Sequence, residues 1–589
     1  MKYHFLAVAL LTSLSITACS PPSTDSEKRD KREPEAATGV IEKQAVLASD
    51  YMVAAATPRA AAAGRAILAE GGSAIDAAVA VQAMLTLTEP QSSGIGGGAF
   101  ILYWDAAEKH LYTVDAREKA PASARGNLFL DANGKAPENF WDAVVGGRSV
   151  GAPGVLKGLE LAHQRWGNKP WSMLFSESIV AAEQGFTVSE RLQMLLEMDL
   201  NPGLRKLSPA KEYFYPNGEA LQAGTLKKNP ELAWALKLIA EQGTDAFYRG
   251  PIGEKVVNAV QNSALAPGLL TLEDLANYTA VVRDPVCNGY RTYTVCGMGP
   301  PSSGGLTVLQ ILGILENFPV AQWQPDSKQA AHHFTQASRL AFADRNRYIA
   351  DSDFVEVPAT AMLKKTYLAS RARQIGNRDL THAEPGVFTN YVFADDQSPE
   401  FPNTSHISIV DAEGNAVSMT TSIEMGFGSS VMASGFLLNN QLTDFSLRPE
   451  VDGELIANRV QGGKRPRSSM APTMVFDREG DDLLHVIGSP GGARIINYVA
   501  QTVLGVLDWD MNMQQAIDQA HVTNLNNYTA LEEGTEMAEL AEALRKMGHT
   551  VRVTGLNSGL HGISLLPNGQ LLGGADPRRE GIALGEVEE

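Results

Sequence analysis

Between residues 403 and 422, Ile407, Ile409, Val417 and Met419 alternate with polar residues on either side of a polar turn at 411–415. Period-two alternation flanking such a turn is the pattern of a β-hairpin, so a chain organised around it must carry a sheet. The start of the hairpin is unusual. Thr404 and Ser405 stand together at the head of the first strand, after a Pro402-Asn403 pair that reads as loop. One reading takes Thr404 as an ordinary β-former. The other has the chain cut between Asn403 and Thr404. The new N-terminal Thr404 would then carry nucleophile and base on one residue, because a free α-amine with a pKa of about 8 can take the hydroxyl proton at neutral pH.

The 589 residues suffice for a large core and more than one ordinary domain by length alone. A composition of 44% hydrophobic and 20% charged residues is that of a soluble globular protein, and the net charge of −18 argues against a nucleic-acid partner. No His-Glu-x-x-His or similar zinc spacing occurs, so neither a metal nor a cofactor is expected. His332-His333 lies in a helical pattern (330–348), where adjacent positions do not share a face, and reads as structural.

The N-terminus reads as a targeting segment. Lys2 precedes an apolar run over 5–16 that is too short to span a bilayer, and Ile16-Thr17-Ala18-Cys19 resembles a bacterial lipobox. A buried helix is the other reading of the run. The lipobox implies a signal peptide over 1–18, a lipidated Cys19, and a periplasmic protein anchored to a membrane. Ser20 in place of Asp is similar to lipoproteins sent to the outer membrane. Residues 19–45, rich in Pro, Ser, Glu and Lys, read as a tether. Cys287 and Cys296 flank a segment that can fold back as a hairpin. An oxidising periplasm would favour a disulfide there; two buried thiols is the alternative.

Two motifs in the large part before Thr404 require weighing. Gly94-Ile95-Gly96-Gly97-Gly98 lacks the strand-loop-helix context of a dinucleotide loop. Gly147-Arg148-Ser149-Val150-Gly151 matches the nucleophile elbow of α/β-hydrolases. However, 142–145 is a thin strand candidate, and Ala152-Pro153-Gly154 interrupts any helix after it. From 155 to about 380 the pattern is mostly helical, and 382–402 is polar and loop-like, which would leave the bond before Thr404 accessible. After the hairpin, 436–438 reads as a strand, 473–476 and 483–487 as a second hairpin, and 494–507 as an apolar helix.

Four blocks in order carry a family resemblance: Thr404-Ser405-His406, the run from Gly435 to Phe445, Lys464-Arg465-Pro466-Arg467-Ser468-Ser469-Met470, and Gly488-Ser489-Pro490-Gly491-Gly492. Together they resemble the small subunit of γ-glutamyltransferases, which are N-terminal-nucleophile hydrolases. Glu89-Pro90-Gln91 with the glycine loop resembles the opening of that family's large subunit. The resemblance implies an α+β fold, an αββα sandwich of two stacked antiparallel sheets flanked by helices. It implies a large subunit (46–403) and a small catalytic subunit (404–589) that stay together as a heterodimer. It implies a self-cleaving enzyme that takes the γ-glutamyl group of glutathione onto Thr404 and passes it to water or to an amino-acid or peptide acceptor.

The site residues it implies are Arg117, Ser468 and Ser469 for the donor carboxylate, and Glu424, Gln441 and Asp444 for its ammonium. Ser422 would orient the Thr404 amine, and Gly491 and Gly492 would form an oxyanion hole. Ser422-Ile423-Glu424 departs from the family's frequent Thr-x-Asn. The segment between Phe445 and Lys464 is short and lacks the aromatic lid residue of some members. The alternatives are a glutaryl acylase of the same fold and an uncleaved binding lipoprotein.

Overall fold

The computed structural model describes residues 39–586 apart from Gln397, Glu400 and Pro402. The expected signal peptide, the expected lipidation site at Cys19 and most of the expected tether lie outside the described residues. Two antiparallel sheets of seven strands form the centre. The first runs Ile582–Gly585, Met52–Ala55, Ser405–Val410, Ala416–Ser422, Gly98–Asp105, His110–Ala116, Val281–Arg283. The second runs Val46–Ala48, Leu571–Ala575, His561–Leu565, Leu483–Gly488, Thr473–Phe476, Tyr293–Gly297, Val286–Tyr290. Each sheet therefore mixes strands that precede Thr404 with strands that follow it.

The alternation in the hairpin sorts the layers. Ile407, Ile409, Val417 and Met419 are fully buried and share a core with the helices Pro58–Ala69 and Ala74–Thr88. Burial on this scale contributes roughly 1.5–3 kcal/mol per large apolar side chain. The opposite face of the same sheet, with Met52, Ala54, Phe100 and Leu102 on the strands flanking the hairpin, packs toward Met474, Phe476 and Val486 of the second sheet. The outer face of the second sheet is covered by Gly304–Leu315 and Ile495–Asp508. The result is four layers: helix, sheet, sheet, helix.

Glycine lets the two helices of the first layer approach closely. A Cβ on Gly64 would fall 2.6 Å from Val81 of the neighbouring helix. Ser73 caps that neighbour in a capping box with Asp76, an arrangement that stabilises a helix start by about 1 kcal/mol.

The structure revises several local expectations. The strand candidate at 142–145 is a single helical turn, Trp141–Val144. Ser149 is buried and donates to the Val144 carbonyl at 2.6 Å, as a structural turn residue does. The strand at 436–438 is only Phe436–Leu437, paired with Met432–Ala433. Cys287 and Cys296 stand opposite each other in their hairpin and are joined by a disulfide.

Candidate active site

Hairpin register assembles the centre of the site. Ser405 pairs with Thr421, so Thr404 and Ser422 face each other at the open end of the hairpin. The Thr404 hydroxyl donates to the Asn403 carbonyl, the carbonyl of its own preceding peptide bond. The Ser422 hydroxyl donates to the same oxygen at 3.0 Å, lies 3.4 Å from Thr404 Oγ1, and accepts the Glu424 amide at 2.8 Å. Asn403 and Thr404 are buried, so the expectation of an accessible bond is not met. An attack from within the chain needs no access from outside.

The loop before the Gly98–Asp105 strand braces this end. Ile423 and Phe427 donate their amides to the Ser92 and Gln91 carbonyls at 3.1 and 2.9 Å. The Asn403 side-chain amide also bonds to the Gln91 carbonyl. Glycine is required where this loop runs against its neighbours: a Cβ on Gly96 would sit 2.2 Å from the Leu437 carbonyl, and one on Gly97 2.1 Å from the Ser422 carbonyl. Asn439 ties the loop to the 435–445 block, donating to the Gly96 and Gly151 carbonyls at 2.8 and 3.0 Å.

A cavity opens at Thr404. Its lining brings together Arg117, Thr404, Ser422, Glu424, Gln441, Asp444, Ser468, Ser469 and Gly492, with Phe401, Met470 and Ile495. Of the residues expected at the donor site, only Gly491 is not in this wall; it precedes Gly492 at the turn. Gly491 (φ +132°) and Gly492 (φ +56°) both occupy the left-handed half of backbone space, where glycine is favoured, and lead directly into Ile495–Asp508. Backbone N–H groups at such a turn are suited to holding an oxyanion.

Arg117 follows the His110–Ala116 strand and is almost fully buried. Its guanidinium pairs with Asp444, meets Glu118 at 3.5 Å, and donates to the Pro466 and Arg467 carbonyls at 3.3 and 3.1 Å. Burial opposes its charge, but Asp444, Glu118 and Glu424 outweigh burial and raise its pKa. Ser469 Oγ accepts from Arg345 at 2.6 Å, and the Ser468 carbonyl accepts the Ser303 amide at 2.7 Å, which fixes the serine pair. Both polar atoms of the buried Gln441 side chain are without a hydrogen-bond partner among the described residues. Glu424 holds a left-handed φ of +77°, which costs a non-glycine residue about 1–2 kcal/mol and aims its side chain at the cavity wall. The segment after Phe445 folds as a small exposed hairpin, Glu450–Val451 with Glu454–Leu455.

Burial drives Glu118 up to about 8, against the pull of Arg117. The unfolded chain releases this proton near pH 4.5, whereas the folded protein keeps it until about pH 8. Stability therefore falls with rising pH across that window. Glu118→Gln is expected to match the wild type in thermal denaturation near pH 5 and to melt several degrees higher at pH 8. A melting difference that stayed constant with pH would contradict this assignment.

Sequence reasoning missed several participants. Arg345 carries no local signature; its helix, Lys328–Tyr348, reads only as a helix. Behind Thr404, Glu89 accepts from Ser405 at 2.5 Å, Ser93 and Ser405 hydroxyls lie 2.8 Å apart, and Arg579 reaches the Thr404 carbonyl at 3.4 Å. The Glu89-Pro90-Gln91 run was the one available signal for that network. Among the described residues, no group of three or more His, Cys, Asp or Glu side chains is arranged to hold a metal ion.

Residues 60–586 match the Gamma-glutamyltranspeptidase family. The glutathione hydrolase proenzyme of Bacillus subtilis strain 168 is 37% identical over 598 residues, covering 99% of this chain and 98% of its own length. The glutathione hydrolase proenzyme of Escherichia coli K12 is 37% identical over 545 residues, covering 90% and 91% of the two chains. The crystal structure of cephalosporin acylase from Bacillus halodurans superposes with a TM-score of 0.83 at 28% identity, covering 95% of this chain and 99% of that one. With a family match over nearly its whole length and relatives of this identity and coverage, the chain belongs to the gamma-glutamyltranspeptidase family.

Proposed function

We propose that the protein is a self-cleaving γ-glutamyltransferase and glutathione hydrolase working through a Thr404 acyl-enzyme. The observation that carries this reading is the Thr404 hydroxyl held against the carbonyl of its own preceding bond, at the mouth of a cavity walled by Arg117, Glu424, Gln441 and Asp444. In the first reaction the Thr404 oxygen adds to the Asn403 carbonyl carbon and the peptide C–N bond breaks. The nitrogen gains a proton and becomes a free α-amine, and water then hydrolyses the resulting ester. The product is a large subunit (46–403 after the tether) and a small subunit (404–589) that remain one heterodimer.

In the second reaction the α-amine, oriented by Ser422, takes the Thr404 hydroxyl proton. The oxygen attacks the γ-carbonyl of the donor, and the oxyanion forms against Gly491 and Gly492. The leaving amine departs with the proton, and water or an amino-acid acceptor takes the acyl group. The donor carboxylate is held by Arg117, Ser468 and Ser469, and its ammonium by Glu424, Gln441 and Asp444.

The similarity to a cephalosporin acylase keeps a glutaryl acylase as the second reading. A glutaryl group lacks the α-amine, however, and would leave Glu424 and Asp444 with no cation from the ligand to answer. The Cys287–Cys296 bridge suits an oxidising compartment, which supports export. Anchoring through a lipidated Cys19, in the outer membrane, belongs to the same proposal. No helix of the described residues is long and apolar enough to cross a membrane. Electrophoresis with N-terminal sequencing of the smaller fragment, followed by assay with a γ-glutamyl anilide and a glutaryl anilide, tests the reading. Two fragments, the smaller beginning at Thr404, and turnover of the γ-glutamyl compound alone are expected. A single inactive chain, or preference for the glutaryl compound, would overturn it.

A further inference from the structure

Phe401 lines two cavities at once. One is the site at Thr404; the other, of about 250 Å3, lies beside it and is walled by Phe140, Trp141, Met425 and Leu447. The Phe401 ring packs on Phe140 with centroids 4.8 Å apart and planes inclined by 51°. With Met425 it forms a small apolar cluster separate from the main cores, with Trp141 packed at its edge.

Phe401 lies two residues before the bond to be cut. Upstream, the chain is fastened at Asp396, whose carboxylate accepts from Arg467 at 3.1 Å and from Asn458 at 2.9 Å, and whose amide donates to the Asn346 carbonyl at 3.1 Å. Nearer still, Ser398 Oγ accepts the Leu447 amide at 3.1 Å. Cleavage therefore places Phe401 on a new chain end, held upstream at Asp396 and Ser398 and downstream by the side-chain hydrogen bond of Asn403 to the Gln91 carbonyl.

We propose that Phe401 leaves its seat once the chain is cut, so that the two cavities join. The aromatic wall of Phe140 and Trp141, with Met425 and Leu447, then receives the side chain of an aromatic acceptor amino acid, or of a peptide beginning with one. This rests on the γ-glutamyl reading. The Phe401 ring shows which chemistry fits: an aromatic side chain, seated within the span of one residue pair of the reacting bond. Glu424 and Asp444 at one end of the joined cleft serve the donor; at the other, Phe140, Trp141, Met425 and Leu447 serve the acceptor side chain, with Glu138 and Asn139 completing that wall. In the transfer step the neutral acceptor amine attacks the carbonyl carbon of the Thr404 ester. A C–N bond forms, the C–O bond breaks, and the proton lost by the amine returns to Thr404 Oγ through the Thr404 α-amine.

The test uses the fully cleaved enzyme with glutamine as donor, since its ammonia leaving group is too small to occupy the wall. Phenylalanine and glycylglycine serve as competing acceptors, and both γ-glutamyl products are quantified by chromatography. Trp141→Ala is expected to lower the ratio of kcat/KM for phenylalanine to that for glycylglycine by about tenfold, the scale of one lost aromatic contact with its buried area. Trp141→Phe should restore most of it. Phe140→Ala serves in its place if Trp141→Ala does not fold or cleave. An unchanged ratio in a cleaved variant would overturn the subsite, whatever the absolute rates. If the wild type formed no γ-glutamyl product from any donor, the γ-glutamyl reading would fall. Calorimetric binding of phenylalanine would still decide the subsite: binding weakened by Trp141→Ala supports it, and no binding to the cleaved wild type overturns it.

Discussion

Thr404→Ala protein is expected to remain one undivided chain and to lose γ-glutamyl turnover by roughly 10³-fold or more, the loss typical of a deleted nucleophile. The geometry makes this a discriminating experiment, because a second hydroxyl stands nearby. Ser422 Oγ lies 3.0 Å from the Asn403 carbonyl oxygen and could in principle also open that bond. Both hydroxyls donate to that oxygen, so the hydrogen bonds alone do not separate them. Thr404, however, is the one of the two whose attack closes a small ring with its own amide. Thr404→Ser should therefore cleave, more slowly than the wild type, whereas Thr404→Ala should not cleave at all. Intact mass measured over days gives the answer. A Thr404→Ala chain that still divided after Asn403 would move the nucleophile of self-cleavage to Ser422.

Arg117→Lys is expected to cleave itself normally and yet lose about 2–4 kcal/mol of transition-state binding, the scale of a charge-assisted pair. That corresponds to roughly 30- to 1000-fold in kcat/KM for a γ-glutamyl anilide. The guanidinium spreads over Asp444, Glu118 and the carbonyls of Pro466 and Arg467, and its planar fork does this from one fixed position. A lysine keeps the charge but has a single nitrogen, which cannot hold Asp444 and also present a flat pair of donors to a carboxylate. Self-cleavage uses the chain's own Asn403 carbonyl and is indifferent to that loss. Wild-type kinetics in a fully cleaved Arg117→Lys protein would remove Arg117 from donor binding and leave Ser468 and Ser469 as the carboxylate anchors.

The core of the fold was legible where side-chain period carried it. Ile407, Ile409, Val417 and Met419 announced the hairpin; that their side packs on helices and not on the second sheet came from the structure. The lining of the cavity at Thr404 was legible through short motifs: a hydroxyl at a strand head, a glycine at a turn, an arginine just past a strand. What escaped was what depends on distant partners. Nothing near Arg345 indicates that its guanidinium will meet Ser469, 124 positions along the chain. Nothing local to Asp142 indicates that Trp141–Val144 will coil rather than extend, since four residues are too few for either period to speak. The left-handed Glu424 likewise depends on its surroundings, with its neighbours Ile423, Met425 and Phe427 fixed by the Ser92 and Gln91 carbonyls and by Asn440.

The order of strands in the two sheets also sets an order in time. Ser405–Val410 lies between Met52–Ala55 and Ala416–Ser422, and Thr473–Phe476 between Leu483–Gly488 and Tyr293–Gly297. Neither piece of a divided chain contains a complete sheet, so neither can withdraw without stripping the backbone hydrogen bonds of the other. Assembly must precede the cut, and the cut then erases the instruction by which the two pieces found each other. The mature molecule is expected to survive dilution as a pair but not to re-form after full denaturation, so that its lifetime is governed by the rate of opening rather than by an equilibrium.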